Sequence, residues 1–66
     1  MNDKNYKWYP SNEVFLRKGD FVYNRASGSK GIINKTETGT IFYTNENGDS
    51  CSWARNEDLM ILKEEF

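Results

Sequence analysis

Cys51 stands between Ser50 and Ser52, and this run is the one place where a nucleophile suggests itself. A thiol nucleophile needs a neighbouring base or a lowered pKa. The chain has no histidine to act as that base, so Cys51 reads as a small, half-buried strand residue. The pairs Glu57-Asp58 and Glu64-Glu65 are adjacent in sequence. Adjacent side chains converge on one point only if the backbone turns sharply, so these carboxylates read as hydrated surface. Asn45-x-Asn47-x-Asp49 has the spacing that opens a calcium loop, but the full ligand series ending in a bidentate Glu is missing. One thiol and no histidine also rule out the usual Cys/His zinc sets. No catalytic residue, metal or cofactor is expected.

The residues that remain are suited to binding. Tyr6-Lys7-Trp8-Tyr9-Pro10 interleaves aromatics with a cation, and Lys4 lies just before it. Such a stretch can stack bases and neutralise phosphates. It can equally fill a groove on a protein, since Trp and Tyr are frequent hot-spot residues. Its third use is internal, packed against the rest of the chain. Gly28-Ser29-Lys30-Gly31 lacks the Walker spacing and reads as an ordinary loop, the alternative being a contact for a phosphate or an acidic side chain through Lys30 and Arg25. Arg17 and Lys18 add two more cations. Tyr23, Tyr43 and Trp53 would make either an aromatic cage or ordinary cross-strand pairs.

The elements that must position these residues are short strands. Phe21-Val22-Tyr23, Gly31 to Lys35, Thr40 to Thr44, Asp49 to Arg55 and Leu59 to Leu62 are rich in β-branched and aromatic residues and bounded by turn formers. Val14-Phe15-Leu16 is a further strand or a docked segment. Residues 1–12 show no clear period and read as an extended arm. Thr36 to Gly39 turns the chain, and Asn56-Glu57-Asp58 suits one 3₁₀ turn. Asn45-Glu46-Asn47-Gly48 allows two hairpins. A two-residue turn on Asn47-Gly48 would set Glu46 opposite Asp49, an unfavourable like-charge pair. A type I turn on Glu46-Asn47 with Gly48 left-handed avoids this and is favoured. It pairs Ile41 with Trp53 and Tyr43 with Cys51, where the other would pair Phe42 with Trp53; Trp53 faces an apolar residue in either register and is expected in the core.

Composition limits what these strands can build. Sixty-six residues allow one domain. A chain this short buries about 60% of its unfolded surface, so its stability is marginal. With one cysteine there is no internal disulfide, and the core must come from the ten aromatics, Phe66 among them. Self-association is a second source of stability. The lone cysteine and the lack of a leader-like start point to a cytoplasmic setting. No apolar run nears the roughly 20 residues of a membrane span. Eight Asn, and six Lys against three Arg, suit an AT-rich bacterial or phage genome. Net charge is −1 but uneven: residues 1–35 carry seven basic and three acidic side chains, residues 36–66 two and seven.

Lys18-Gly19-Asp20-x-Val22, Gly28-x-x-Gly31-x-Ile33, Gly39-Thr40-Ile41-Phe42, Asn47-Gly48, Trp53 and Asp58-Leu59 together resemble an SH3-like barrel of the KOW and Tudor-like branch. The resemblance covers about residues 18–62. Small proteins of this kind are encoded by Gram-positive bacteria and their prophages. It implies an all-β fold, a single five-stranded barrel over residues 13–66 with a short charged tail, preceded by the arm 1–12. It implies positive φ at Gly28 and Gly31, and a backbone hydrogen bond from Asp20. The function it implies is non-enzymatic binding. A protein partner is favoured, because a pI of 5.3 is unlike a typical nucleic-acid domain. Single-stranded nucleic acid is the alternative, carried by the basic, aromatic first half. The binding residues expected are Tyr6, Lys7, Trp8, Tyr9, Arg17, Lys18, Tyr23, Arg25 and Lys30.

Overall fold

The computed structural model describes residues 5–65. Phe66 and Lys4, named above, lie outside them. The described chain is all β: β1 Tyr6–Pro10, β2 Phe21–Asn24, β3 Lys30–Glu37, β4 Thr40–Asn45, β5 Ser50–Ala54 and β6 Leu59–Glu64. These strands form one antiparallel sheet in the order β1-β6-β2-β3-β4-β5. Five of them lie where the sequence places strands. The sixth is the arm. No described helix is long and apolar enough to cross a membrane.

The expected five-stranded barrel is therefore corrected, over the described residues, to an open six-stranded sheet with β1 and β5 as its edges. The arm has a physical reason to join. Without it, β6 would present unpaired backbone groups along a Leu-Met-Ile-Leu strand. β1 covers that edge with Trp8 opposite Leu62 and Tyr9 opposite Ile61. Val14-Phe15-Leu16 is not a strand. Val14 and Leu16 pack on the core, while Phe15 is exposed. Asn56 to Asp58 makes a bend and a turn instead of a 3₁₀ helix, held by Asp58 N donating to Asn56 Oδ1 at 2.9 Å.

Strand alternation assigns the core to one face. Val22, Ile33, Ile41, Tyr43, Leu59 and Ile61 are buried on it. A one-residue slip would move each of them to the other face, so register matters most at the hairpins. The β4–β5 hairpin takes the favoured form, with Ile41 opposite Trp53 and Tyr43 opposite Cys51. Asn45 Oδ1 accepts from the backbone of Asn47 and Asp49, both at 2.9 Å, and Gly48 has φ 86°. Trp53 packs against the core but is only half buried. The β3–β4 turn is tighter than expected, with Thr38 and Gly39 both at positive φ. That is the two-residue type I′ pattern.

Side chains join the two edges of the sheet. Ser11, directly after β1, is fully buried. Its hydroxyl donates to Asn56 O at 2.8 Å and accepts from Asn56 N at 3.0 Å, and its amide donates to Leu59 O at 2.8 Å. Arg55, directly after β5, donates from Nε to Ser11 O and from Nη2 to Val14 O, both at 2.7 Å. The segment between β1 and β2 is thereby fixed across the core face. Its far end is fixed too, since Gly19 N donates to Ile33 O and Ile33 N to Asp20 O, both at 2.9 Å.

Deleting residues 1–10 removes β1 and its pairing with β6. The melting temperature is expected to fall by several degrees, because about 1 kcal/mol shifts a domain of this size by roughly 4–8 °C. A thermal melt followed by circular dichroism checks this, and an unchanged curve would contradict the docked arm.

Candidate binding face

Adjacent residues of a strand point to opposite faces. Phe21-Val22, Ile32-Ile33 and Ile61-Leu62 are adjacent apolar pairs. Val22, Ile33 and Ile61 fill the core, so Phe21, Ile32 and Leu62 must face the other side. Pairing lines them up, with Trp8 opposite Leu62, Phe21 opposite Ile32 and Ile32 opposite Thr44. The result is an apolar row running across the sheet on the face opposite the core.

These side chains line a groove of about 540 Å³, which Lys30 and Glu46 also line. Trp8, Phe21 and Ile32 are 39%, 54% and 44% exposed. The Trp8 and Tyr23 rings lie 6.1 Å apart and tilted by 59°. Lys30 Nζ sits 6.0 Å from the centre of the Tyr23 ring, within cation–π range. Gly31 belongs to the same wall. A β-carbon on it would run into the Thr44 carbonyl oxygen and come within 2.9 Å of the Tyr43 ring. Gly31 is needed for this close approach. Positive φ, expected at both Gly28 and Gly31, is found at Gly28, at 78°, and not at Gly31.

Of the residues expected to bind, Trp8, Tyr23 and Lys30 are gathered here. Tyr6 is exposed and shares the face of Trp8 by alternation. Lys7 and Tyr9 point to the opposite face, with Lys7 Nζ 5.7 Å from the Tyr9 ring centre. Tyr9 and Arg17 line a separate depression of about 490 Å³ beside Val14, Phe15 and Lys63. There Asp20 Oδ2 accepts from Lys63 Nζ at 2.7 Å and from Arg17 N at 3.0 Å, so Asp20 does tie down nearby backbone. Lys18 is exposed in the turn before β2. Arg25 braces the fold, donating from Nη2 to Glu57 O at 2.8 Å, with Asp58 Oδ1 3.9 Å away.

Tyr23, Tyr43 and Trp53 form no cage. Tyr43 and Trp53 are on the core side, whereas Tyr23 is on the groove side. The Tyr43 hydroxyl bonds Ser29 Oγ at 2.7 Å and accepts from Asn24 Nδ2 at 3.4 Å. Asn24, fully buried, spends its Oδ1 on the amides of Ala26 and Ser27 at 2.9 and 3.2 Å. The glycine-serine loop is thus folded around an internal side chain. Cys51 packs on the core, its Sγ 3.8 Å from Asp49 O. Among the described residues, no three His, Cys, Asp or Glu side chains are grouped to hold a metal ion.

Gly31→Ala is expected to destabilise the domain by about 1–3 kcal/mol, the usual cost of overpacking, read as a lower urea midpoint. An unchanged midpoint would show that β3 and β4 do not approach this closely. Compared with known proteins, the chain matches no family model, no curated protein and no solved structure.

Proposed function

We propose that this chain is a small, non-enzymatic binding module and that the groove receives an apolar segment of a protein partner. The observation that carries this reading is the row Trp8, Leu62, Phe21 and Ile32, whose apolar surface lies open on the face opposite the core. Contiguous exposed apolar surface of this kind marks interaction sites. Charge supports a protein over a nucleic acid, because Lys30 is balanced by Glu46 and the other cations lie elsewhere.

A second reading is single-stranded nucleic acid. It is favoured by one arrangement, the open Trp8 and Tyr23 rings with the Lys30 ammonium beside them.

Affinity capture from nuclease-treated lysate of the source cell, with wild type and Phe21→Glu as baits, tests the first reading. A protein retained by wild type is expected to be lost with Phe21→Glu. The exposed position lets that variant fold, which circular dichroism checks. Retention by both baits would contradict the groove as the site. A single-stranded oligonucleotide that binds with a log–log salt slope of about −0.7 per phosphate contact would favour the second reading.

A further inference from the structure

The edge strand β5 has an unpaired side. In the β4–β5 ladder, Asn45 N donates to Asp49 O at 2.9 Å and Arg55 N donates to Gly39 O at 2.8 Å. Antiparallel pairing alternates, so Asp49, Cys51, Trp53 and Arg55 turn their backbone groups towards β4. Ser50, Ser52 and Ala54 turn theirs the other way, where no described strand lies. Ser50, Ser52 and Ala54 are all exposed, and the Arg55 side chain, on the core face with Trp53, is directed to Ser11 and Val14.

Natural edge strands are usually guarded by a charge, a proline or a bulge. The other edge, β1, carries Lys7 and ends in Pro10. β5 reads Ser-Cys-Ser-Trp-Ala, with no charge and no proline, and its register with β4 has no bulge. Its sequence is also self-complementary. Antiparallel pairing of two copies about a two-fold axis at Ser52 sets Ser52 against its own counterpart, Ser50 against Ala54 and Cys51 against Trp53. At the ends, Asp49 of one copy faces Arg55 of the other. The outward backbone groups then meet as hydrogen-bonded pairs, Ser50, Ser52 and Ala54 bring small side chains together on one face, Cys51 faces Trp53 on the other, and unlike charges stand opposite at both ends. An isologous contact requires this self-match. The net charge of −1 per chain adds little repulsion.

We propose that two copies of this chain pair through their β5 edges, centred on Ser52, to form one continuous sheet. The arrangement carries both copies' Trp8–Phe21 faces free of the contact and doubles the groove, whatever that groove binds.

Sedimentation equilibrium of the full chain from micromolar to millimolar concentration tests the pairing. The mass is expected to rise from 7.7 kDa towards twice that value. Ser52→Lys keeps the amide but sets like charges face to face at the axis, and should weaken association by roughly two- to five-fold. Ser52→Pro removes the central outward donor without touching a β4 bond, and should abolish it. Circular dichroism checks that both variants fold. In wild type, the Ser50, Ser52 and Ala54 amides should exchange more slowly as concentration rises. A monomer at millimolar concentration would overturn the proposal. So would a dimer that Ser52→Lys leaves intact, or one lost instead with Phe21→Glu, which would move the contact to the groove face.

Discussion

Ser11 and Arg55 do what a barrel's last ladder would do. The sheet ends in β1 on one side and β5 on the other. Backbone bonds do not close that gap, yet the core face must still be covered. A buried hydroxyl that both donates and accepts, and a guanidinium on two carbonyls, fix the end of β1 to the end of β5. Buried polar groups are costly unless satisfied, and here the Ser11 hydroxyl and amide are. The arrangement also sets the path of residues 11–20, so that Val14 and Leu16 lie on the core. Because β1 hangs on the same point, the position of Trp8 on the opposite face depends on it.

The two faces are therefore coupled through a small polar hub. Among the described residues, one face carries six buried apolar side chains, a thin core for a chain of this length. The other carries apolar side chains that the fold leaves in water. Asn24 plays a similar part on the opposite flank, holding the 25–29 loop by its side chain and bonding Tyr43. Polar side chains rather than extra strands thus finish both sides of the core, and the apolar surface not needed inside stays available for a partner.

Much of the fold was legible because strands announce themselves locally. Phe21–Tyr23, Ile32–Ile33 and Thr40–Thr44 have no other plausible reading, and the like-charge clash of Glu46 with Asp49 decided the hairpin register. The arm was not legible as β1, because its aromatics are apolar on both faces and show no alternation to detect. The hub was invisible, since Ser11 and Arg55 are 44 residues apart in sequence and neither type is distinctive. The groove was half legible. The sequence marks Trp8, Tyr23 and Lys30 for binding, whereas Phe21, Ile32 and Leu62 read in it only as strand formers. Adjacent apolar pairs in a one-faced sheet were the available signal, because one member of each pair must look outward. Arg25 misled for the opposite reason: a cation beside a glycine loop looks free until its carbonyl partner, Glu57, is placed.

The claim that a side-chain hub unites the sheet edges is tested most directly by a double-mutant cycle. Ser11→Ala, Arg55→Met and the combination would be compared by urea unfolding, with the Trp8 side-chain N–H resonance followed in each. The account predicts a coupling energy of about 0.5–3 kcal/mol between the two positions, together with a shift of the Trp8 resonance in both single variants. Additive effects, with Trp8 unmoved, would contradict it.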